Sequence, residues 1–243
     1  MTRLVRLVLG GLAQAFITLP LAVSPGVAAA ADAPVRPFQD DIAQRVLACT
    51  GCHGQEGRAA PDGFYPRIAG KPAGYLFNQL LNFRDGRRIY PPMSHLLQHL
   101  TDDFLREIAD HFGNLSLPYP ALPAQPPLAG DARGRELVLQ GDPARGIPSC
   151  SSCHGERLTG VQPAIPGLLG LPRDYLNAQF GAWRIHQRTA QAPDCMAEIS
   201  RRLEPNDVAA ITSWLARQPM PADPSPAPGH GAPLPMACGG VQR

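Results

Sequence analysis

The sequence predicts an all-α protein made of two tandem copies of one small helical unit. The first observation is a motif, Cys-x-x-Cys-His, that occurs once in each half of the chain, at 49–53 and at 150–154. The second is that apolar residues recur at helical spacing around both motifs. The third is that the residues following each motif match between the two halves.

The match between the halves has an almost constant offset. Six positions pair at an offset of 100 residues: Pro66 with Pro166, Gly70 with Gly170, Tyr75 with Tyr175, Leu76 with Leu176, Gln79 with Gln179, and Arg84 with Arg184. Further along, the offset becomes 103, and Met93 pairs with Met196. The sequence therefore indicates a tandem duplication.

The helical pattern and the proline-rich stretches predict the order of domains. Helices are expected over 40–47, 74–84, 102–112, 133–140 and 205–216, with a break at Pro91-Pro92-Met93. The predicted organisation is a cleaved signal peptide (1–31), a first domain (32–117), a Pro-rich linker (118–129), a second domain (130–218) and a Pro-rich tail (219–243).

The first residues have the composition of an export signal. Arg3 and Arg6 precede an apolar run, and small residues at 27–31 offer a cleavage site before Asp32. A retained membrane anchor is the alternative. No later stretch approaches the roughly 20 apolar residues that a span requires. We therefore expect an exported protein without a membrane span after removal of the signal.

The charge balance argues against nucleic acid as a partner. The chain has 22 Lys and Arg against 20 Asp and Glu, and the leader contains two of the bases and none of the acids. The mature chain is then formally neutral. It has no basic run of the kind that binds phosphate backbones.

Cys-x-x-Cys-His is the attachment signature of c-type haem. Two thiols at this spacing can each bond one vinyl group of a porphyrin, and the adjacent histidine supplies the fifth iron ligand. A single copy could also be a zinc half-site or a redox dithiol. Two copies predict two covalently bound haem c groups, attached through Cys49, Cys52, Cys150 and Cys153 and ligated by His53 and His154.

The sixth iron ligands are predicted to be Met93 and Met196. They lie 40 and 42 residues after their motif histidines, at equivalent places in the repeat. A thioether is a soft neutral ligand that raises the haem potential. Core packing is the ordinary alternative for a methionine. The rival ligands are histidines without a partner at the repeat offset: His95, His99, His111 and His186.

The pairing of positions between the two halves also predicts residues that support the haem. The backbone carbonyls of Pro66 and Pro166 are placed to accept the imidazole N–H. Arg84 and Arg184 could pair with haem propionates. The alternative is that both side chains are solvated on the surface of their helices.

Two cysteines remain outside the motifs, Cys195 and Cys238. In an oxidising compartment an even number of spare cysteines favours a disulfide, which here would pin the tail to the second domain. Two buried free thiols are the alternative.

Two motifs joined by a short linker, each followed by Pro-x-x-x-Gly, Tyr-Leu-x-x-Gln, an Arg and a Met, resemble the dihaem cytochrome c4 family of class I cytochromes c. The resemblance covers about 40–218. It implies two cytochrome-c-like domains with adjacent haems in the periplasm of a Gram-negative bacterium, and the axial pairs His53–Met93 and His154–Met196. It also implies electron transfer from a membrane-associated donor to a terminal oxidase or a similar acceptor.

The extra cysteine pair departs from the simplest members of that family. The tail resembles that of c4-like cytochromes that accompany periplasmic dehydrogenases, so a dehydrogenase is a candidate donor. We expect an electron carrier and not an enzyme. The alternative is a dihaem enzyme, a peroxidase or thiosulfate oxidoreductase, with an exchangeable iron ligand or with Cys195 as a ligand. A permanent subunit of a dehydrogenase complex is a third possibility.

Overall fold

The computed structural model describes residues 40–60, 62–120 and 129–241. These residues belong to one compact unit. The predicted signal peptide and most of the predicted linker lie outside the described residues. None of the helices in the described ranges has the length and apolar character needed to cross a membrane.

The described residues form ten α-helices and one small antiparallel sheet. In chain order these elements are α1 (Ile42–Arg45), α2 (Leu47–His53), α3 (Ala73–Arg84), α4 (Pro91–Leu97), α5 (Asp102–Gly113), α6 (Asp131–Leu139), α7 (Ser151–His154), β1 (Gly160–Val161), β2 (Ile165–Pro166), α8 (Arg173–Arg184), α9 (Cys195–Arg202) and α10 (Pro205–Arg217). Short 3₁₀ turns at Gln55–Gly57 and Pro143–Arg145 complete the set.

The long helices lie where the apolar spacing predicts them. Their ends differ from the predicted ends by one or two residues, as at α3 and α10. The predicted helix over 40–47 is interrupted instead: α1 ends at Arg45, and α2 starts after a non-helical Val46. The predicted all-α fold is confirmed, with a two-stranded sheet as its single exception among the described residues.

The prediction of a break at Pro91-Pro92-Met93 was wrong. Residues Pro91–Leu97 form α4, with both prolines in its first turn. Proline is tolerated there because the first N–H groups of a helix have no partner within the helix, and its fixed φ suits the helix start. Met93 therefore lies on a helix and not in a loop.

Two hydrophobic cores occupy the two halves of the unit. The first lobe (40–60 and 62–120) packs α3 against α5 around Phe77, Leu105 and Phe112. The second lobe (129–218) packs α10 against α6 and α8 around Leu137 and Ile211. Residues of both cores form part of the apolar wall of one large cavity.

The lobes meet through a nearly symmetrical pair of backbone contacts. The amide of Ile89 donates to the carbonyl of Gln187 at 2.7 Å, and the amide of Thr189 donates to the carbonyl of Arg87 at 2.6 Å. Arg88 and Arg188 face each other between these bonds as an antiparallel bridge. Because the two residues are 100 positions apart, the same segment of each repeat forms the interface.

A carboxylate and two guanidinium groups stabilise the second lobe. Asp207, whose side chain is 9% exposed, accepts hydrogen bonds from Arg145 at 2.7 Å and from Arg133 at 3.3 Å. It also accepts from the amide of Glu204 at 3.1 Å and so caps α10. Burial alone would raise the pKa of Asp207, but the hydrogen bonds from Arg145 and the backbone outweigh burial and lower it.

We predict that Asp207→Asn lowers the free energy of unfolding by about 2 kcal/mol at pH 7, because it removes the buried carboxylate of the network, although Asp142 still pairs with both guanidinium groups. A carboxyl with a lowered pKa stabilises the fold above its unfolded pKa, and this stability is lost as the pH falls through the folded pKa. The difference between variant and parent should therefore shrink below about pH 4. Urea unfolding of both proteins at several pH values from 7 to 3 measures this difference in the free energy of unfolding.

The exposed Asp103, in the first turn of α5, is the matched control for this prediction. Asp103→Asn should cost well under 1 kcal/mol. Equal effects of the two substitutions would contradict the assigned role of the Asp207 network.

Candidate functional site

The first motif lies on α2, which ends directly after its histidine. Gly54 follows with a φ of +75°, and a Cβ there would lie 2.3 Å from the carbonyl oxygen of Ala59. Glycine is the residue that ends a helix in this conformation. The helical turn places Cys49, Cys52 and His53 on the wall of one cavity.

The second motif has the same local geometry on the shorter helix α7. Cys150 is its N-terminal cap, His154 is its last residue, and Gly155 follows with a φ of +84°. His154 is 8% exposed. Both thiols of this motif are partly buried, whereas Cys52 of the first motif is exposed. The second site is therefore more enclosed than the first.

Each motif histidine is oriented by a proline carbonyl. The Nδ1 atom of His53 lies 2.8 Å from the carbonyl oxygen of Pro66, and that of His154 lies 2.7 Å from the carbonyl oxygen of Pro166. Because a carbonyl can only accept a hydrogen bond, Nδ1 carries the proton and Nε2 retains its lone pair. Burial lowers the pKa of both imidazoles, so the neutral, ligating form is favoured.

A single cavity of about 1080 Å³ extends through both lobes, and its wall is mainly apolar. That volume is above the range of about 300–1,000 Å³ for one small-molecule site. Eight side chains of the predicted attachment and ligand set line it: Cys49, Cys52, His53, Met93, Cys150, Cys153, His154 and Met196. The structure therefore brings the complete predicted set to one connected space.

The two methionines occupy equivalent places on short helices. Met93 is in the first turn of α4 and packs against the first core. Met196 is the second residue of α9, which Asp194 caps by accepting a hydrogen bond from the amide of Ala197 at 3.0 Å. A helix start holds the methionine backbone rigidly while its flexible thioether reaches into the cavity.

Three of the four motif thiols lack the environment of a reactive redox thiol. Burial raises the pKa of Cys49 and Cys153 and raises that of Cys150 to about 12. Redox dithiols need a lowered pKa. Within the described residues, no three His, Cys, Asp or Glu side chains come together as a metal site, whereas structural zinc needs four ligands. The donors fit two covalently attached haems.

The other histidines lie elsewhere. All seven histidines of the chain are in the described ranges, and the five outside the motifs do not line the cavity. His95, His99 and His186 are exposed. They are not placed to replace Met93 or Met196 as ligands.

Arg84 and Arg184 do not line the cavity either. Arg84 donates to the carbonyl of Leu100 at 3.0 Å and lies 2.7 Å from Asp102. Arg184 donates to the equivalent carbonyl, that of Leu203, at 3.1 Å. Both arginines therefore tie their helix to the start of the last helix of the lobe.

A second arginine pair faces the cavity from the lobe interface. Arg88 donates to Gln79 at 2.9 Å and to Gln179 at 2.7 Å, and Arg188 donates to the same two amide oxygens at 3.2 and 2.7 Å. Arg188 is 7% exposed, and burial lowers the pKa of its guanidinium. Within the described residues, no carboxylate pairs with Arg88 or Arg188. A buried guanidinium beside a second, partly buried one in this position favours an anionic ligand.

Trp183 adds an unsatisfied donor beside this pair. Its indole N–H is buried and has no hydrogen-bond partner among the described residues, and the ring lines the cavity. The guanidinium of Arg188 stacks on the ring at 3.9 Å. A buried donor without an acceptor is rare in native proteins, so this N–H indicates an acceptor on a molecule bound in the cavity.

Sequence reasoning did not identify Arg88, Arg188 or the indole N–H of Trp183 as candidate site groups. The signal was present, because Arg88 and Arg188 show the same offset of 100 as the other paired positions. The glycines after the motifs, Gly54 and Gly155, were a similar signal, because they are 101 positions apart, as the motifs are, and each allows its helix to end at the histidine.

The disulfide between Cys195 and Cys238 is present, with 5.1 Å between the two Cα atoms. It removes Cys195 as a free thiolate ligand for iron. The sequence-based alternative that relied on a cysteine ligand therefore has no support in the structure.

Comparisons with known proteins agree with this site. No family model matches the chain. The thiosulfate dehydrogenase electron acceptor of Thiomonas intermedia is 35% identical over 172 residues, which are 71% of this chain and 79% of that protein. Cytochrome c4 of Pseudomonas aeruginosa is 32% identical over 173 residues, 70% of this chain and 84% of that protein.

Solved structures show the same fold. Reduced cytochrome c4 from Pseudomonas stutzeri aligns with a TM-score of 0.60 and 28% identity, over 70% of this chain and 93% of that one. The thiosulfate dehydrogenase TsdBA of Marichromatium purpuratum aligns with a TM-score of 0.61 and 33% identity, but this chain covers only 36% of its length.

Fold and site together define a dihaem c-type cytochrome, an electron-transfer protein with two covalently bound haem c groups. The chain belongs to the cytochrome c4 family.

Proposed function

We propose that this cytochrome accepts electrons from a periplasmic dehydrogenase that oxidises a reduced sulfur compound, and passes them to a terminal oxidase or a similar acceptor. The dehydrogenase is suggested by the similarity to a protein named thiosulfate dehydrogenase electron acceptor. A 36% identical match over 70 residues to the cytochrome subunit of a sulfide dehydrogenase points to the same class of donor. The chain itself is a carrier and not the enzyme.

The observation that carries the proposal is the single cavity that holds both ligand sets. Bound haem supplies one-electron chemistry at its iron. His53 and Met93 would bind the first iron, and His154 and Met196 the second. The mainly apolar wall limits the access of water, and the helix starts restrain the backbone of both sulfur ligands. One connected space that holds both ligand sets supports electron exchange between the two sites within the molecule.

In this proposal both axial positions are filled by the protein. An enzyme that acts on peroxide or thiosulfate at its iron would need an open or exchangeable position. Met93 and Met196 lie on equivalent helices, and Cys195 is held in the disulfide, so no described residue favours an exchangeable site.

The axial assignment can be tested by removing one sulfur at a time. Met93→Ala and Met196→Ala should each remove about half of the weak near-infrared thioether-to-iron band and lower one of the two potentials by on the order of 100 mV, because the thioether favours the ferrous state. Spectroelectrochemical titration of the holoproteins measures both effects.

Met220→Ala is the control, because Met220 packs against the second core and does not line the cavity. It should leave both potentials unchanged. A Met93 or Met196 variant with parental band and potentials would refute the axial pair concerned.

We also propose that Arg88, Arg188 and Trp183 bind haem propionates, in place of the direct contact predicted for Arg84 and Arg184. The two guanidinium groups, which donate only to neutral side chains among the described residues, and the indole N–H without an acceptor support this assignment. A fixed positive charge between the two sites would favour the ferrous form of each.

Arg188→Gln should therefore lower both haem potentials, by an amount that corresponds to on the order of 1 kcal/mol per electron. Arg184→Gln is the matched comparison, since Arg184 is on the same repeat but outside the cavity. If Arg184→Gln moves the potentials and Arg188→Gln does not, the original sequence-based assignment is correct and this one is wrong.

The partner can be tested with purified oxidised holoprotein. A catalytic amount of a thiosulfate dehydrogenase with thiosulfate should reduce both haems, and added oxidase should reoxidise them. Without the dehydrogenase, thiosulfate should cause no turnover. Steady oxidation of thiosulfate by the cytochrome alone would show that it is an enzyme. Failure of the thiosulfate dehydrogenase to reduce it would contradict the proposed donor.

A further inference from the structure

The C-terminal tail returns to the cavity after crossing the surface of the second lobe. Near its middle it pairs with the β-hairpin, where the amide of Ala227 donates to the carbonyl of Gly160 at 2.9 Å and the amide of Gln162 donates to the carbonyl of Ala227 at 2.8 Å. Residues 231–233 are exposed. The following residues, 236–241, approach the cavity, and we call them the strap. Met236, Cys238 and Gly239 of the strap line the cavity wall.

The strap is attached to the segment that carries Met196. The disulfide joins Cys238 to Cys195, the residue directly before Met196. The amide of Gly239 donates to the carbonyl of Pro193 at 2.9 Å. A Cβ on Gly239 would lie 2.2 Å from the carbonyl oxygen of Ala192. The close approach therefore requires glycine at this position.

The segment 190–196, which we call the ligand loop, is braced from inside as well. The carboxylate of Asp194 accepts from the amide of Ala190 at 2.7 Å and from the amide of Ala197 at 3.0 Å. On its other side the strap contacts the first lobe, where the side-chain amide of Asn78 donates to the carbonyl of Gly240 at 2.6 Å. The strap thus connects the ligand loop of the second lobe to α3 of the first.

The first lobe restrains its methionine differently. At the offset of 103, Cys195 corresponds to Pro92, which precedes Met93. Pro91 and Pro92 fix two φ angles at the start of α4. The second lobe has a covalent crosslink to the strap at the position where the first lobe has a proline.

We propose that the strap positions Met196: it holds the ligand loop against the cavity, so that the sulfur remains on the second iron and small ligands are kept out. The inference rests on the axial pair proposed above, His154 with Met196. Without the strap, the ligand loop would be held by the Asp194 hydrogen bonds and the first turn of α9 alone, so it would open locally at a lower cost than in the parent.

The first test removes the crosslink with Cys195→Ser/Cys238→Ser, a double change that avoids leaving a free thiol beside the iron. In the ferric holoprotein, imidazole should bind the second haem at least about tenfold more tightly than in the parent, since it competes with a less firmly held sulfur. The second potential should fall, and the first haem serves as the internal reference. If the equilibrium constant between the ferrous and ferric forms changes tenfold, the potential falls by about 59 mV.

The second test keeps both cysteines and moves the strap. Gly239→Ala introduces a side chain against the carbonyl of Ala192 and should displace the strap. As in the double cysteine variant, imidazole should then bind the second haem more tightly, and the potential of that haem should fall. Gly229→Ala is the matched control, because a Cβ at Gly229 meets nothing within 4 Å. Thiol counting under denaturing conditions verifies that the disulfide is intact in both. This pair remains informative if the double cysteine variant does not fold.

Parental imidazole affinity and parental second potential in Gly239→Ala, or in a folded Cys195→Ser/Cys238→Ser protein, would overturn the strap inference. Met196→Ala separates this failure from a failure of the axial assignment. If Met196→Ala changes the second haem and the strap variants do not, only the strap inference is wrong. If Met196→Ala also leaves the second haem unchanged, both are wrong.

Discussion

The hydrogen bond between each motif imidazole and a proline carbonyl is the contact on which the rest of the structure depends. It fixes the protonated nitrogen of His53 and His154, and it leaves the other nitrogen available for iron. The helix that carries each motif, the glycine that ends it and the apolar cavity wall all maintain this one orientation. The same geometry occurs in both lobes although their local secondary structure differs, with a β-hairpin next to the second motif only.

Most of the haem-attachment chemistry could be read from the sequence, because it depends on local spacing. Cys-x-x-Cys-His is contained within one or two helical turns, and the repeat offset identifies Pro66, Pro166, Met93 and Met196 without any knowledge of tertiary structure. The long helices could also be predicted from the sequence, since the apolar residues of each recur with the helical period. Asp102–Gly113 illustrates this, with a threonine cap that accepts from the amide of Phe104 and two acidic residues in its first turn.

What the sequence did not reveal depends on how the two lobes face each other. Arg84 and Arg88 are both at repeat-matched positions, and no local pattern tells which of them points into the cavity. The answer comes from the antiparallel contact of Arg88 with Arg188, which turns both guanidiniums inward while Arg84 is engaged by Leu100 and Asp102. The helix at Pro91 was missed for a different reason: two consecutive prolines break a helix in its interior but are compatible with its first turn.

The lobes are duplicated in their ligands but not in what restrains them. Prolines limit the unfolded as well as the folded conformations of the first ligand segment, and they act locally. The disulfide restrains the second ligand segment through a distant part of the chain, and the Asn78 contact extends that restraint to the other lobe. Two redox sites with the same ligand types can therefore differ in the rigidity of their sulfur ligand and in their enclosure. Because electron transfer between them has a direction only if their potentials differ, this unequal support gives a duplicated protein a physical means of making its two sites unequal.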